Sequence, residues 1–141
     1  MALQWREQLS VGNNIIDADH RHLIDIINRV EQCLAAKDRG ALDAALASLK
    51  DYAQVHFARE EKIAEAAGYM QMPGLAQSHR GLMETLEQMR QEFDAAGASW
   101  AAEPVAKFTG FLRGWLIDHV IKEDLLMKPA LQKFAPTFDP R

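Results

Sequence analysis

The sequence predicts an all-α fold, an antiparallel up-down-up-down four-helix bundle with an N-terminal arm. Two observations carry that prediction. The first is a set of four apolar stripes spaced in steps of three and four. They run Ile16, His20, Leu23, Ile27, Val30, Leu34; Leu42, Leu46, Leu49, Ala53, His56, Glu60, Ile63, Ala67; Leu75, His79, Leu82, Leu86, Met89, Phe93; and Val105, Phe108, Leu112, Trp115, His119. Such steps keep side chains on one face of a helix with 3.6 residues per turn. The second is that short links separate the stripes, which makes neighbouring helices run antiparallel.

Residues 1–16 form the arm, which carries Trp5 and the turn-like Val11-Gly12-Asn13-Asn14. The first helix is expected over 17–36 with Asp17 as its cap, followed by the polar link Lys37-Asp38-Arg39-Gly40, whose glycine is a helix-stop signal. The second helix covers 41–67 and ends at Gly68. The pair Pro73-Gly74 then signals a turn ahead of the third helix, 75–96, which stops near Gly97. Pro104 suits the first turn of the fourth helix, 104–127. Residues 134–141, with two more prolines, read as an irregular tail, and 1–141 as a single domain without repeats.

Composition narrows the function classes. A chain of 141 residues with 48% hydrophobic and 26% charged residues is long enough to bury a core and has an ordinary soluble balance. A net charge of -4, with 16 Lys and Arg scattered among acids, argues against nucleic acid as a partner. Cys33 is the only cysteine, which excludes an intrachain disulfide and thiolate clusters; it reads as a packed or partly exposed thiol. The start MALQWREQLS has no basic region followed by an apolar run, and no stretch reaches the ~18 apolar residues of a membrane span. A cytoplasmic protein with no membrane partner is expected.

The informative residues are those that break the apolar stripes: His20, His56, Glu60, His79 and His119. Unpaired polar groups in an interior cost several kcal/mol. His56 and Glu60, four apart, stack about 6 Å along one helix face, where an imidazole and a carboxylate can grip one ion. One buried histidine is satisfied by a single backbone contact. A donor from every helix of one bundle, by contrast, describes a metal site. Imidazoles with carboxylates and no thiolate suit iron, manganese or zinc. Six donors, counting Asp124, exceed a tetrahedral zinc, and two ions bridged by Glu60 and Asp124 use them better. A single zinc stays open.

Asp124 enters through an irregularity. After His119 the stripe resumes five residues on, at Asp124, then Met127 and Leu131. Five residues turn a regular helix about 140° off the seam. A one-residue π-bulge between His119 and Asp124 would restore register, as would a tilt of the helix.

These residues resemble those of bacterial hemerythrins over nearly the whole chain. The matching pieces are Trp5, Ser10-Val11-Gly12, Ile16-Asp17-Ala18-Asp19-His20, Leu23, Ile27-Asn28, His56-Phe57-Ala58-Arg59-Glu60-Glu61, His79 with Leu82-Met83, and Trp115-Leu116-Ile117-Asp118-His119-Val120 with Asp124. The resemblance implies two iron ions with an oxo or hydroxo bridge and reversible binding of O2, in storage, delivery or sensing. By the same match His20 and His56 would ligate the iron with the open position. His79 and His119 would ligate the other, and Glu60 and Asp124 would bridge. Trp5, Phe57, Trp115 and Leu116 would wall the ligand pocket, a role compatible with ordinary core packing.

One ligand of the family pattern is absent. The family places two histidines four apart at the start of the third helix, and here Leu75 stands four before His79. An alignment through Pro73 would instead make His79 the first and Met83 the replacement. His22 does not fill the gap, since it lies about 200° around its helix from His20 and faces the surface. Three functions compete: a non-enzymatic O2-binding protein, a di-iron redox enzyme acting on peroxide or nitric oxide, and a single-metal derivative. The retained pocket residues favour the first.

Overall fold

A computed structural model describes residues 2–96 and 100–140. The stop expected near Gly97 lies outside the described residues. A 3-10 turn, Glu7–Leu9, precedes three long helices, α1 (Asn14–Ala36), α2 (Arg39–Ala66) and α3 (Met72–Ala95). The fourth rod is composite. It runs as α4 (Ala102–Gly114), a π-helical segment (Trp115–Ile121), α5 (Lys122–Asp124), a 3-10 turn (Leu125–Met127) and α6 (Lys128–Leu131). Each helix packs on the next, and the fourth rod closes back on α1, as an up-down-up-down bundle requires.

Local chemistry explains where the helices begin. Asn13 rather than Asp17 caps α1, its side chain accepting from Ile15 N and Ile16 N, so the helix starts earlier than expected. Asp17 is freed to hold the arm, accepting from Ser10 Oγ at 2.5 Å and Val11 N at 3.0 Å. Asp38 caps α2 by accepting from Ala41 N, which places Gly40 inside the first turn; Lys37, at φ 55°, takes the left-handed position at the link. Pro73 lies in the first turn of α3, where its missing N–H costs nothing, so the Pro-Gly pair opens the helix instead of preceding it.

Arm and tail are tied down. Asn28 exchanges two hydrogen bonds of 2.9 Å with the backbone of Leu3. Asn13 Nδ2 donates to Phe138 O, and Asn14 N donates to Pro136 O, so the tail seats the start of α1.

The core is layered along the bundle axis. One apolar cluster gathers Leu23 to Leu34 of α1, Leu42 to Phe57 of α2, Leu82 to Phe93 of α3 and Phe108 to Ile121 of the fourth rod. A smaller one gathers Val11, Ile16, Ile63, Ala64, Ala67, Leu75, Met127 and Leu131. Burial of side chains this size stabilises by roughly 1.5–3 kcal/mol each. On every helix the boundary between the two clusters is occupied by polar residues: His20, the pair His56 and Glu60, His79, and Asp124, all buried. The bundle therefore carries a polar layer between two apolar ones.

Candidate metal centre

His20, His56, Glu60 and Asp124 are each 0–1% exposed, and one ligand atom from each lies within 4.8 Å of the others. His20 Nε2 stands 2.7 Å from Asp124 Oδ2 and 3.7 Å from Glu60 Oε2. His56 Nε2 is 3.0 Å from Glu60 Oε2, without the alignment of a hydrogen bond. Four buried atoms in the cluster have no hydrogen-bond partner: His20 Nδ1, His56 Nε2, Glu60 Oε2 and Asp124 Oδ1. Native interiors rarely leave such groups unpaired.

The electrostatics of the cluster call for positive charge. Burial, then the neighbouring charge of Glu60, pushes the Asp124 carboxyl up to about 7. Burial acts in the same sense on Glu60, but the charge of His56 and the close polar groups of Asp124, His20 and His56 outweigh it and hold Glu60 well below its ordinary value. Burial opposes charging of His56 and His20, yet both are raised. Glu60 is the main counter-influence at His56, and Asp124 and Glu60 at His20. Two carboxylates in one dry site thus gather protons from their surroundings. A cation supplies the same charge and frees the protons, which is how metal binding displaces them. The donor set of imidazole and carboxylate, with no thiolate, fits a borderline or hard divalent or trivalent ion.

A second set of groups orients the first. Asp19 Oδ2 accepts from Arg59 Nε at 3.1 Å and lies 3.0 Å from His56 Nδ1, while Asp19 Oδ1 accepts from Tyr52 Oη at 2.7 Å. With Nδ1 engaged, His56 turns Nε2 toward the cluster, the arrangement that metal-ligating histidines use. Burial works against ionisation of Asp19, but hydrogen bonds from His56 and Tyr52 and the charges of His56 and Arg59 hold its carboxyl low. The Tyr52 hydroxyl is pushed up to about 12 by burial and by Asp19. Sequence reasoning missed this support. Asp19 lies three after Ile16 and four before Leu23, a spacing that places it on the buried face too.

The remaining expected residues divide. His79 is buried, its Nε2 3.0 Å from Glu60 Oε1 and its Nδ1 2.9 Å from Glu61 Oε2, and Phe57 stacks flat on its ring at 4.1 Å. His119, expected on the buried seam, is exposed. The extra residue of the fourth rod is present, but as a π-segment that starts at Trp115, before His119, and runs through it to Ile121. Bonding of the i→i+5 type makes buried neighbours recur at five, Trp115 to Val120 and Leu116 to Ile121, and swings His119 outward. It lines a cavity of about 480 Å³ between α3 and α4, with Ser78, Gly114, Trp115 and Glu123 among its neighbours. Leu75 packs in the lower apolar cluster. Phe57 and Trp115 are in ring contact at 6.2 Å, and Leu116 is fully buried in the same cluster. Trp5 is half-buried under the Arg21 guanidinium, 4.7 Å from its ring centre. His22 is exposed beside Tyr52.

Residues 11–131 match the family model "Hemerythrin HHE cation binding domain". The chain belongs to the hemerythrin family. Among its relatives are hemerythrin-family proteins named bacteriohemerythrin. That of Methylococcus capsulatus is 29% identical over 133 residues, covering 93% of this chain and 98% of the relative. That of Pseudomonas aeruginosa is 28% identical over 123 residues, covering 86% and 76%. A crystal structure of wild-type hemerythrin superposes with a TM-score of 0.77 at 25% identity, over 93% of this chain and 98% of that one. In this hemerythrin fold no helix among the described residues is long and apolar enough to cross a membrane.

Proposed function

We propose that this protein binds O2 through a non-haem iron centre in its polar layer, without turning it over. The observation that carries the reading is the convergence of His20, His56, Glu60 and Asp124, with His56 Nε2, Glu60 Oε2 and Asp124 Oδ1 buried and unpaired. In this reading the cofactor is a pair of iron ions. His20 and His56 would hold one ion, His79 and an inward-turned His119 the other, and Glu60 and Asp124 would be shared. When bound, the iron supplies the electrons and the open coordination position that O2 requires.

The chain's own residues do the rest. Asp19 holds the proton on His56 Nδ1 and so presents Nε2 inward. Phe57, Trp115 and Leu116 exclude water from the layer above the cluster, where a dry wall slows loss of bound ligand. Trp115 is locked by donating from Nε1 to Leu82 O at 2.9 Å. Trp5 closes the arm side of the same cluster.

A redox enzyme acting on peroxide or nitric oxide is the second reading. One observation favours it: His119 stands at an open cavity instead of in the sealed core. The test is iron content of anaerobically purified protein, followed by optical spectra before and after O2. Bound iron and a visible charge-transfer band that fades on O2 removal support O2 binding. Irreversible oxidation with no such band supports the enzyme. A protein that holds no iron refutes both.

A further inference from the structure

We propose that the two metal positions are unequal: the one formed by His20, His56, Glu60 and Asp124 fills first and retains its ion, and the one served by His79 and His119 fills second and exchanges readily. The proposal rests on the iron-centre reading above and deepens it.

The first position is already assembled. Its ligand atoms lie within 4.8 Å of one another, all four residues are buried, and His56 is braced by Asp19. Binding there reorganises little and gives unpaired atoms a partner.

The second position has two defects, each traceable to a residue of this chain. Leu75, one helical turn before His79, offers a side chain that belongs to an apolar cluster and has no donor atom. His79 itself is presented as His56 is, Nδ1 at Glu61 and Nε2 toward Glu60, so the defects lie beside it. His119 is turned out by the π-segment to a cavity wall shared with Ser78 and Glu123, and the Ser78 hydroxyl donates to Glu123 there. To reach the layer, His119 must cross the buried side of that segment, where Trp115, Leu116, Val120 and Ile121 are packed. Missing support around a ligand lowers metal affinity about 10–100-fold. The second position lacks one ligand and holds another in the wrong place.

The test is titration of metal-free protein with cobalt(II) under anaerobic conditions, read by calorimetry and by visible absorption. The expected result is two steps, the first complete at one ion per chain and the second at least about tenfold weaker. Dialysis then leaves one ion per chain. His119→Ala removes the second step, and Leu75→His strengthens it until the two steps merge. Both variants are checked for helicity, and His119→Ala, at an exposed position, decides the matter where Leu75→His does not fold. Two ions entering wild-type protein in a single step would overturn the inequality. So would a His119→Ala variant that weakens both steps alike. A chain that takes up no cobalt overturns the metal centre itself, a separate failure.

Discussion

The α1–α2 side of the polar layer and its α3–α4 side differ in how their histidines are held. On the first side, His56 is fixed by Asp19, and Asp19 in turn by Tyr52 and Arg59, so a chain of hydrogen bonds runs from the surface to the ligand atom. On the second side, His79 is held likewise, with Glu61 at Nδ1 and Nε2 toward Glu60, but the exposed ring of His119 makes no hydrogen bond to the described residues. Both sides carry imidazoles on adjacent helices. What separates them is the other histidine of each side: His20 is buried with Nε2 2.7 Å from Asp124, and His119 is turned out of the layer. A metal site is made by what aims its ligands as much as by the ligands themselves.

The comparison can be broken most severely at Glu60, the carboxylate shared by both sides, which lies 3.0 Å from His56 and from His79. Glu60→Gln leaves the raised imidazoles without their counter-charge. Breaking a buried charged cluster in this way costs about 3–5 kcal/mol. Urea unfolding of the metal-free protein should show a loss in that range, and the purified variant should retain no metal. Retention of metal at the wild-type level would mean that Asp124 alone joins the two sides.

Leu75→Ala probes the weak side next. Its side chain, 6% exposed, packs in the lower apolar cluster. Removing a buried leucine side chain costs about 2–5 kcal/mol. We expect a fall in the urea midpoint of the metal-free protein with no change in the first cobalt step. A stability loss under about 1 kcal/mol would show that Leu75 is not a structural member of that layer.

These assignments also measure how far the sequence could be read. The bundle and the burial of His20, His56, Glu60 and His79 were legible, because steps of three and four report a helix face directly. His119 was misplaced for a physical reason. Steps counted at 3.6 residues per turn assume α-geometry up to His119, and the π-segment begins at Trp115, so the register changes one turn too early. Five-residue spacing showed that an extra residue was needed and could not say on which side of His119 the irregularity begins. Asp19 was hidden differently. It shares the buried face of α1 with His20, and a stripe read as Ile16, His20, Leu23 steps over Asp19, which lies three after Ile16 and four before Leu23. The seating of the tail on Asn13 left no periodic trace, since it depends on backbone carbonyls.

Asp19→Asn weakens the strong side selectively. Its amide keeps the shape but loses the charge that favours the His56 Nδ1 proton and the Arg59 contact. Loss of such a partner lowers metal affinity about 10–100-fold. The first cobalt step should weaken by that factor while the second stays in place, which brings the two steps together from the opposite direction to Leu75→His. A shift confined to the second step would reverse the assignment of the sides.

Tyr52→Phe is the mildest of these changes and tests whether the support chain extends to the surface. Tyr52 is half-buried, and its hydroxyl donates to the Asp19 oxygen that does not face His56. Removing it leaves Asp19 with its two other partners, so the carboxylate keeps its place and loses one neutral hydrogen bond. Such a bond contributes about 1 kcal/mol net. That loss should appear in urea unfolding of the metal-free protein. It passes to the metal only as far as Asp19 gains freedom to turn, so the first cobalt step should weaken less than about tenfold, short of the Asp19→Asn effect. An effect as large as that of Asp19→Asn would mean that Arg59 contributes little and that Tyr52 is what aims Asp19 at His56. No effect on either measurement would end the chain of support at Asp19, leaving the aim of His56 to that one carboxylate.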